Sequence, residues 1–279
     1  MRYPLGNSSQ TTTRIAEMEV DLPVKCIVLA AGRGTRLRPY TDDRPKCMVP
    51  FRGKPLLEHL VGTLRRCGIS DIVVVRGPLG DKITYTDLRY VDDLDGHNML
   101  HSLFKAEHEL TGDLVVTYAD ILYEDAVLWQ LLAASGDISV AVDLDWKRYF
   151  SERAPDPYSI AESLVINNGA IQLVGTPINR PEDVQGQYIG LLKLTGDGTS
   201  QLRQCYWKYR SERWGKPWQQ ARQFENAYIT DILQQLIDDG MSVRPACFRG
   251  GWVEIDTAAD YERLLELDRK STLPEFLRC

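Results

Sequence analysis

The stretch Ala30-Ala31-Gly32-Arg33-Gly34-Thr35-Arg36-Leu37-Arg38-Pro39, continuing to Arg44-Pro45-Lys46, follows directly on the apolar run VKCIVLA (24–30). A run of that kind reads as a strand buried on both faces. The loop that leaves it therefore sits at a strand's carboxyl end, where open α/β sheets bind their ligands. Gly32 and Gly34 let backbone N–H groups approach an anion, and Arg33, Arg36, Arg38, Arg44 and Lys46 surround it with charge. This is a phosphate-handling loop. Leu37 stands where the dinucleotide fingerprint needs its third glycine, and no G-x-x-x-x-G-K-[ST] occurs in the chain, so the Rossmann fingerprint and the Walker loop are both excluded.

Outward from this loop, strand-like and helix-like stretches alternate. A helix is expected at 55–67, a strand at 71–75, a short strand at 88–91, a helix at 98–110, a strand at 113–120, a helix at 124–134 and a strand at 138–145. Strands linked through helices give a mainly parallel sheet covered on both faces, a three-layer α/β/α arrangement. After residue 145 the pattern changes. SLVIN and AIQLV flank Asn168-Gly169, which predicts a β-hairpin over 163–174. A strand at 187–194, a helix at 227–238 ended by Gly240, two short strands (SVRPACF, WVEID) and a last helix through 261–267 follow. The aromatic stretch with Tyr206, Trp207, Tyr209, Trp214 and Trp218 reads as a packed or dimer-forming helix, which leaves a homodimer open. Residues 1–22 read as a flexible extension and 23–279 as one domain.

The 279 residues are 43% hydrophobic and 26% charged, which disfavours disorder. The net charge of −6 argues against a nucleic-acid surface. Residues 25–54 nevertheless carry eight Lys or Arg against two Asp, a local anion site in an acidic protein. No apolar stretch approaches a membrane span, so a soluble, cytoplasmic protein is expected. Six scattered cysteines without a C-x-x-C pair indicate neither a zinc ribbon nor a disulfide framework.

Beyond the loop, two aspartates end apolar strands: Asp120 in VVTYAD and Asp256 in WVEID. Such residues serve as turn or cap formers, or, when paired, as hard oxygen ligands for Mg²⁺. Glu254 and Asp260 are set aside as neighbours. Asn98 and Ser102 suit either an N-cap and a surface serine or contacts to a base edge. Trp146 offers a cation a face or simply packs. Arg148 and Arg153 would clasp a carboxylate or remain on the surface.

The motif A-A-G-x-G-x-R-L-x-P…P-K resembles the sugar-nucleotidyltransferase superfamily. NMLHSLFKAEHEL, YADILYE, VDLDW, AESLVI, GQYIGLLK, YITDILQQLIDDG and GWVEIDTAADYERL are similar to stretches of the cytidylyltransferases of phosphonate and phosphocholine metabolism, including the domain fused to phosphoenolpyruvate phosphomutase. The resemblance covers about residues 24–268. It implies a Rossmann-like nucleotidyltransferase fold with the hairpin region as acceptor-binding insertion, and transfer of CMP from CTP to a small phosphonate with loss of pyrophosphate.

Carried over motif by motif, the resemblance implies nucleotide contacts at Ala30, Ala31, Gly32, Gly34, Thr35, Arg36, Asn98 and Ser102, with Arg36 and Lys46 catalytic. Asp120 and Asp256 become the Mg²⁺ pair, and Trp146, Arg148, Glu162 and Tyr188 the acceptor contacts. Thr176, in VGTP, replaces the lysine with which sugar-1-phosphate enzymes bind the sugar phosphate, and this disfavours a sugar acceptor. Phosphocholine and sugar-1-phosphate transfer stand as enzyme alternatives, and a regulatory module as the non-enzyme one. The basic residues around Trp146 favour a hydroxyethyl-, aminoethyl- or carboxyl-bearing phosphonate over phosphocholine.

Overall fold

The computed structural model describes residues 23–278, so the expected extension at 1–22 lies outside the described residues, as does Cys279. Seven strands build the main sheet: β1 (Lys25–Ala30), β2 (Ile72–Arg76), β3 (Arg89–Asp92), β4 (Leu114–Tyr118), β5 (Ile138–Asp143), β6 (Gln187–Leu194) and β7 (Val243–Phe248). Their order is β7-β5-β6-β4-β1-β2-β3. All pairings are parallel except those of β6, which runs antiparallel to β4 and β5. The mainly parallel sheet expected from the strand and helix alternation is therefore present.

Why the strands read as unbroken apolar runs is visible in β1. Cys26, Val28 and Ala30 point into one core and Ile27 and Leu29 into another, all buried. A strand covered on both faces has no reason to alternate with polar residues. The first core takes α1 (Leu56–Arg66), α3 (Asp125–Leu132), α4 (Trp146–Arg153) and α7 (Ala258–Arg269); the second takes α2 (Met99–Lys105), α5 (Gly196–Arg213) and α6 (Ile229–Asp238). In α1, Leu56, Leu57, Leu60, Val61 and Leu64 are buried at helical spacing, which fixes its inward face.

Two of the small antiparallel pairings outside the main sheet bear on the site. Leu164–Asn167 and Ala170–Val174 form the expected hairpin. Asn168 and Gly169 hold φ of 50° and 75°, the two positive values that a tight primed turn requires. The other pair was not anticipated: Ile121–Tyr123 runs antiparallel to Trp252–Glu254, with Ile121 opposite Glu254. Helix α4 was also missed. Its sequence, WKRYFSER, buries only Trp146, Tyr149 and Phe150 among five polar residues, too few to reveal a helical period. The aromatic stretch is the end of α5 and the loop after it, packed against the domain: Tyr206 stacks on Phe104, and Trp218 Nε1 donates to Gln235.

Candidate active site

β1 and β4 are parallel neighbours, and the chain proceeds from them in opposite directions across the sheet. Their carboxyl ends therefore form a switch-point crevice. The loop at 31–46 enters it from β1. Gly34 adopts φ +61°, and a Cβ there would come within 3.1 Å of both Lys46 and Thr41, so only glycine fits the turn that brings Lys46 inward. Thr41 Oγ1 locks that turn by donating to the Gly34 carbonyl at 2.8 Å. Thr35 and Arg36 lie in a short 3-10 turn beyond Gly34, and open space surrounds the Cβ position of Gly32.

Asp120 follows β4, and Asp256 follows the Trp252–Glu254 strand. The small antiparallel pair holds them side by side, reinforced by the Ile255 N–H donating to the Asp120 carbonyl at 2.9 Å. Lys46 Nζ stands between the two carboxylates, 2.7 Å from Asp120 Oδ2 and 3.0 Å from Asp256 Oδ1; Arg36 pairs with Asp256 Oδ2 at 2.8 Å. Burial acts to lower the pKa of Lys46, but Asp120 and then Asp256 outweigh it and hold the ammonium above its ordinary value. Four residues from three separate stretches of sequence thus meet at one point. The donor set also fits a divalent cation. Two hard carboxylates converge there, and Asp120 Oδ1 is buried with no hydrogen-bond partner among the described residues.

Beside this cluster a cavity of about 490 Å³ opens between the sheet edge and α4, α6 and α7. Glu162 and Tyr188 line it. Gly190, at φ +81° in β6, leaves room for the Tyr118 ring, since a Cβ there would lie 2.2 Å from it. The register of β6 against β5 shifts between Tyr188 and Leu192, and this irregularity sets the segment that carries Tyr188. Glu162 is an exposed residue whose side chain opens onto the cavity, with its carboxyl group crowded by the protein around it. Burial first, then Glu254 and Asp231, push its carboxyl up to about 7. Among the described residues no cation is close enough to offset this.

Two expected acceptor contacts lie elsewhere. Trp146 is 4% exposed and packs edge-on against Phe150 and Tyr158 in the first core, away from the cavity, because α4 turns it inward as one of only three apolar residues. Arg148, on the outer side of α4, reaches Glu275 at 2.7 Å and lines a different cleft. Asn98 is the N-cap of α2, accepting from the Met99 N–H at 2.9 Å while its amide donates to the Asn226 carbonyl. Ser102 is buried and donates to Asp93 at 2.6 Å, so it is not a surface serine. Thr176 is bonded to Ser163 at 2.8 Å.

Glu254, set aside from sequence, is a wall of the cavity, and burial followed by the nearby Asp120 and Asp256 raises its pKa against the opposing pull of Arg153. Arg153 is itself only 8% exposed and spends its guanidinium on Glu254 and Asp260. The signal for both lay in the WVEID and DWKRYFSER segments, but only the fold brings them together.

A family model described as a MobA-like NTP transferase domain matches residues 26–173. The chain is 32% identical over 256 residues to the CTP:phosphoglutamine cytidylyltransferase of Campylobacter jejuni, covering 87% of this chain and 100% of that protein. It is 34% identical over 108 residues to the choline-phosphate cytidylyltransferase of Streptococcus pneumoniae, over 37% of this chain and 47% of that one. Among solved structures, the inositol-1-phosphate CTP transferase from T. maritima matches with a TM-score of 0.67 at 22% identity, over 91% of this chain and 98% of that one, a likeness of fold. With a family model matching more than half of its length and a relative similar from end to end, this chain belongs to the MobA-like NTP transferase domain family of nucleotidyltransferases.

Proposed function

We propose that this nucleotidyltransferase moves CMP from CTP to a small phosphonate or phosphorylated acceptor that carries a cationic nitrogen, releasing pyrophosphate. The observation that carries the acceptor class is Glu162, a carboxylate on the wall of the cavity with no cation beside it among the described residues. Five acids (Asp120, Glu162, Glu254, Asp256, Asp260) and two arginines line that cavity, and both arginines are already paired with acids. An ammonium is the group such a wall stabilises. The Tyr118 and Tyr188 rings, edge to face at 6.1 Å, add aromatic surface for it. The relatives' names, CTP:phosphoglutamine cytidylyltransferase and choline-phosphate cytidylyltransferase, name acceptors that each contain a cationic nitrogen, the first together with a carboxylate, which supports the same reading.

Of the basic residues near Trp146 that favoured a phosphonate over phosphocholine (Lys147, Arg148, Arg153), Arg148 is spent on Glu275 and Arg153 on Glu254 and Asp260. Aminoethyl phosphonates stay within the proposed class; carboxyl-bearing ones stay only where they also carry an ammonium.

In the proposed reaction an acceptor phosphoryl or phosphonyl oxygen attacks the α-phosphorus of CTP. The new P–O bond forms as the bond between the α-phosphorus and the bridging oxygen breaks, and pyrophosphate leaves in line. An acceptor dianion is already a nucleophile near neutral pH, so no general base is required. The 31–46 loop holds the triphosphate through its backbone N–H groups and Arg36. Lys46 neutralises charge as the two anions approach, an effect felt mainly in the transition state. Mg²⁺ on Asp120 and Asp256, when bound, would screen the phosphate charge.

The test is pyrophosphate release from CTP, UTP, ATP and GTP with aminoethyl-, hydroxyethyl- and carboxyl-bearing phosphonates, phosphocholine and glucose 1-phosphate. Turnover is expected with CTP and the nitrogen-bearing acceptors. Preference for glucose 1-phosphate, or for another nucleotide, would overturn the reading.

A further inference from the structure

We infer that Arg153 is a positioning residue: it fixes the backbone of Asp256 through Asp260, and so sets the carboxylate pair for the metal. The inference rests on the proposed metal role of Asp120 and Asp256. Arg153 closes α4 and is almost fully enclosed. Its Nε donates to Asp260 Oδ1 at 2.8 Å and its Nη2 to Asp260 Oδ2 at 3.2 Å, while Nη1 reaches Glu254 Oε2 at 2.5 Å. This two-pronged contact fixes the plane of the Asp260 carboxylate.

Asp260 in turn does more than cap a helix. Its Oδ2 accepts from the backbone N–H of Thr257 at 2.8 Å, from the Thr257 hydroxyl at 2.9 Å and from the backbone N–H of Asp256 at 3.2 Å. The start of α7 and the residue carrying the metal carboxylate therefore hang on one oxygen. The same helix grips the preceding strand a second time. Tyr149 Oη accepts from the Glu254 N–H at 2.9 Å and donates to the Glu254 carbonyl at 3.0 Å. Through Tyr149 and Arg153, α4 holds residues 254 to 260 from one side, and Lys46 and Arg36 hold the Asp256 carboxylate from the other. Arg153 also faces the acceptor cavity. It thus stands between the acceptor and the metal pair without being needed as a ligand to either.

Only the guanidinium fork has this geometry. An Arg153→Lys change keeps the charge and gives up the second prong toward Asp260. The readout is Mn²⁺ affinity of the protein–CTP complex, measured by water-proton relaxation enhancement relative to a Mn²⁺–CTP blank at the same concentrations, with no acceptor, alongside the melting temperature. Leu202→Ala, in the core on the opposite face, serves as a control for destabilisation alone.

The expected result is that Arg153→Lys weakens Mn²⁺ binding about tenfold and lowers kcat, with Leu202→Ala leaving Mn²⁺ affinity unchanged despite a lower melting temperature. Asp260→Asn, which keeps the shape and removes the charge, is expected to follow Arg153→Lys and carries the test if that variant does not fold. Wild-type Mn²⁺ affinity in a folded Arg153→Lys or Asp260→Asn protein would overturn the proposal. If the wild-type protein with CTP takes up no Mn²⁺, the metal reading itself falls, and this inference with it.

Discussion

The proposed nucleotide side of the crevice and the proposed acceptor side are built in different ways. The first is dominated by one continuous loop, residues 30–46, whose glycines and cations act where the chain places them. The second is assembled from α4, the 160–162 segment, β6 and the 252–260 segment, none of which carries a self-contained motif. Phosphate binding needs backbone N–H groups and local charge, which a single loop can supply. Recognition of a particular small molecule needs side chains converging from several directions, which only tertiary structure supplies.

The comparison breaks first at the carboxylate pair that joins the two halves. Asp120→Asn and Asp256→Asn are each expected to lower kcat by about a thousandfold. The double variant should be little worse than either single one if, as proposed, both serve one ion. Mild, additive losses in steady-state kinetics would separate the two residues and dissolve the joint. On the nucleotide side, Lys46→Ala is expected to cost between about tenfold and a thousandfold in kcat with the fold intact by circular dichroism. Unchanged kcat would remove Lys46 from the reaction.

Much of this division was legible beforehand. The β1 run, the 31–46 loop, the hairpin at Asn168-Gly169 and the boundaries of β6 follow from local signals, and Lys46, Asp120 and Asp256 meet as their motifs implied. What was not legible is the α4 region. Trp146 and Arg148 are neighbours in sequence to Arg153, and chemistry alone gave no way to say which of the three faces the cavity. A two-turn helix decides it, burying the tryptophan, sending Arg148 outward and folding Arg153 beneath the site. Glu254 was hidden for a similar reason: its importance depends on Arg153 and Glu162, both about a hundred residues away in sequence.

The acceptor side is sharpened by pH. With its carboxyl pushed up to about 7, Glu162 becomes negative only as pH rises through that value, so kcat/KM for an ammonium-bearing acceptor should rise across about pH 6 to 8. Glu162→Gln should flatten this step. Stability runs the other way. The folded state keeps a proton that the unfolded chain has released above its ordinary value near 4.5, so stability falls as pH rises from there to about 7. Denaturant titrations of wild type and Glu162→Gln at several pH values should differ by that slope.

The smallest expected effects belong to the residues that left the site. Arg148→Ala removes a half-exposed ion pair with Glu275 and should change stability by no more than about 1 kcal/mol and acceptor ranking not at all. Trp146→Ala should cost about 3–5 kcal/mol of stability as a core truncation, with acceptor ranking preserved in whatever protein folds. A change of ranking in either variant would return α4's outer residues to the pocket.

The central claim is that a nitrogen cation on the acceptor meets Glu162. The most direct measurement is kcat/KM with CTP for aminoethylphosphonate against its hydroxyethyl counterpart, a pair differing in one terminal group, in wild type and in Glu162→Gln at pH 8. The account predicts a preference of about tenfold to a hundredfold for the amine in wild type, collapsing toward unity in the variant. Equal use of the two acceptors by the wild-type enzyme, or an amine preference that survives the loss of Glu162, would contradict it.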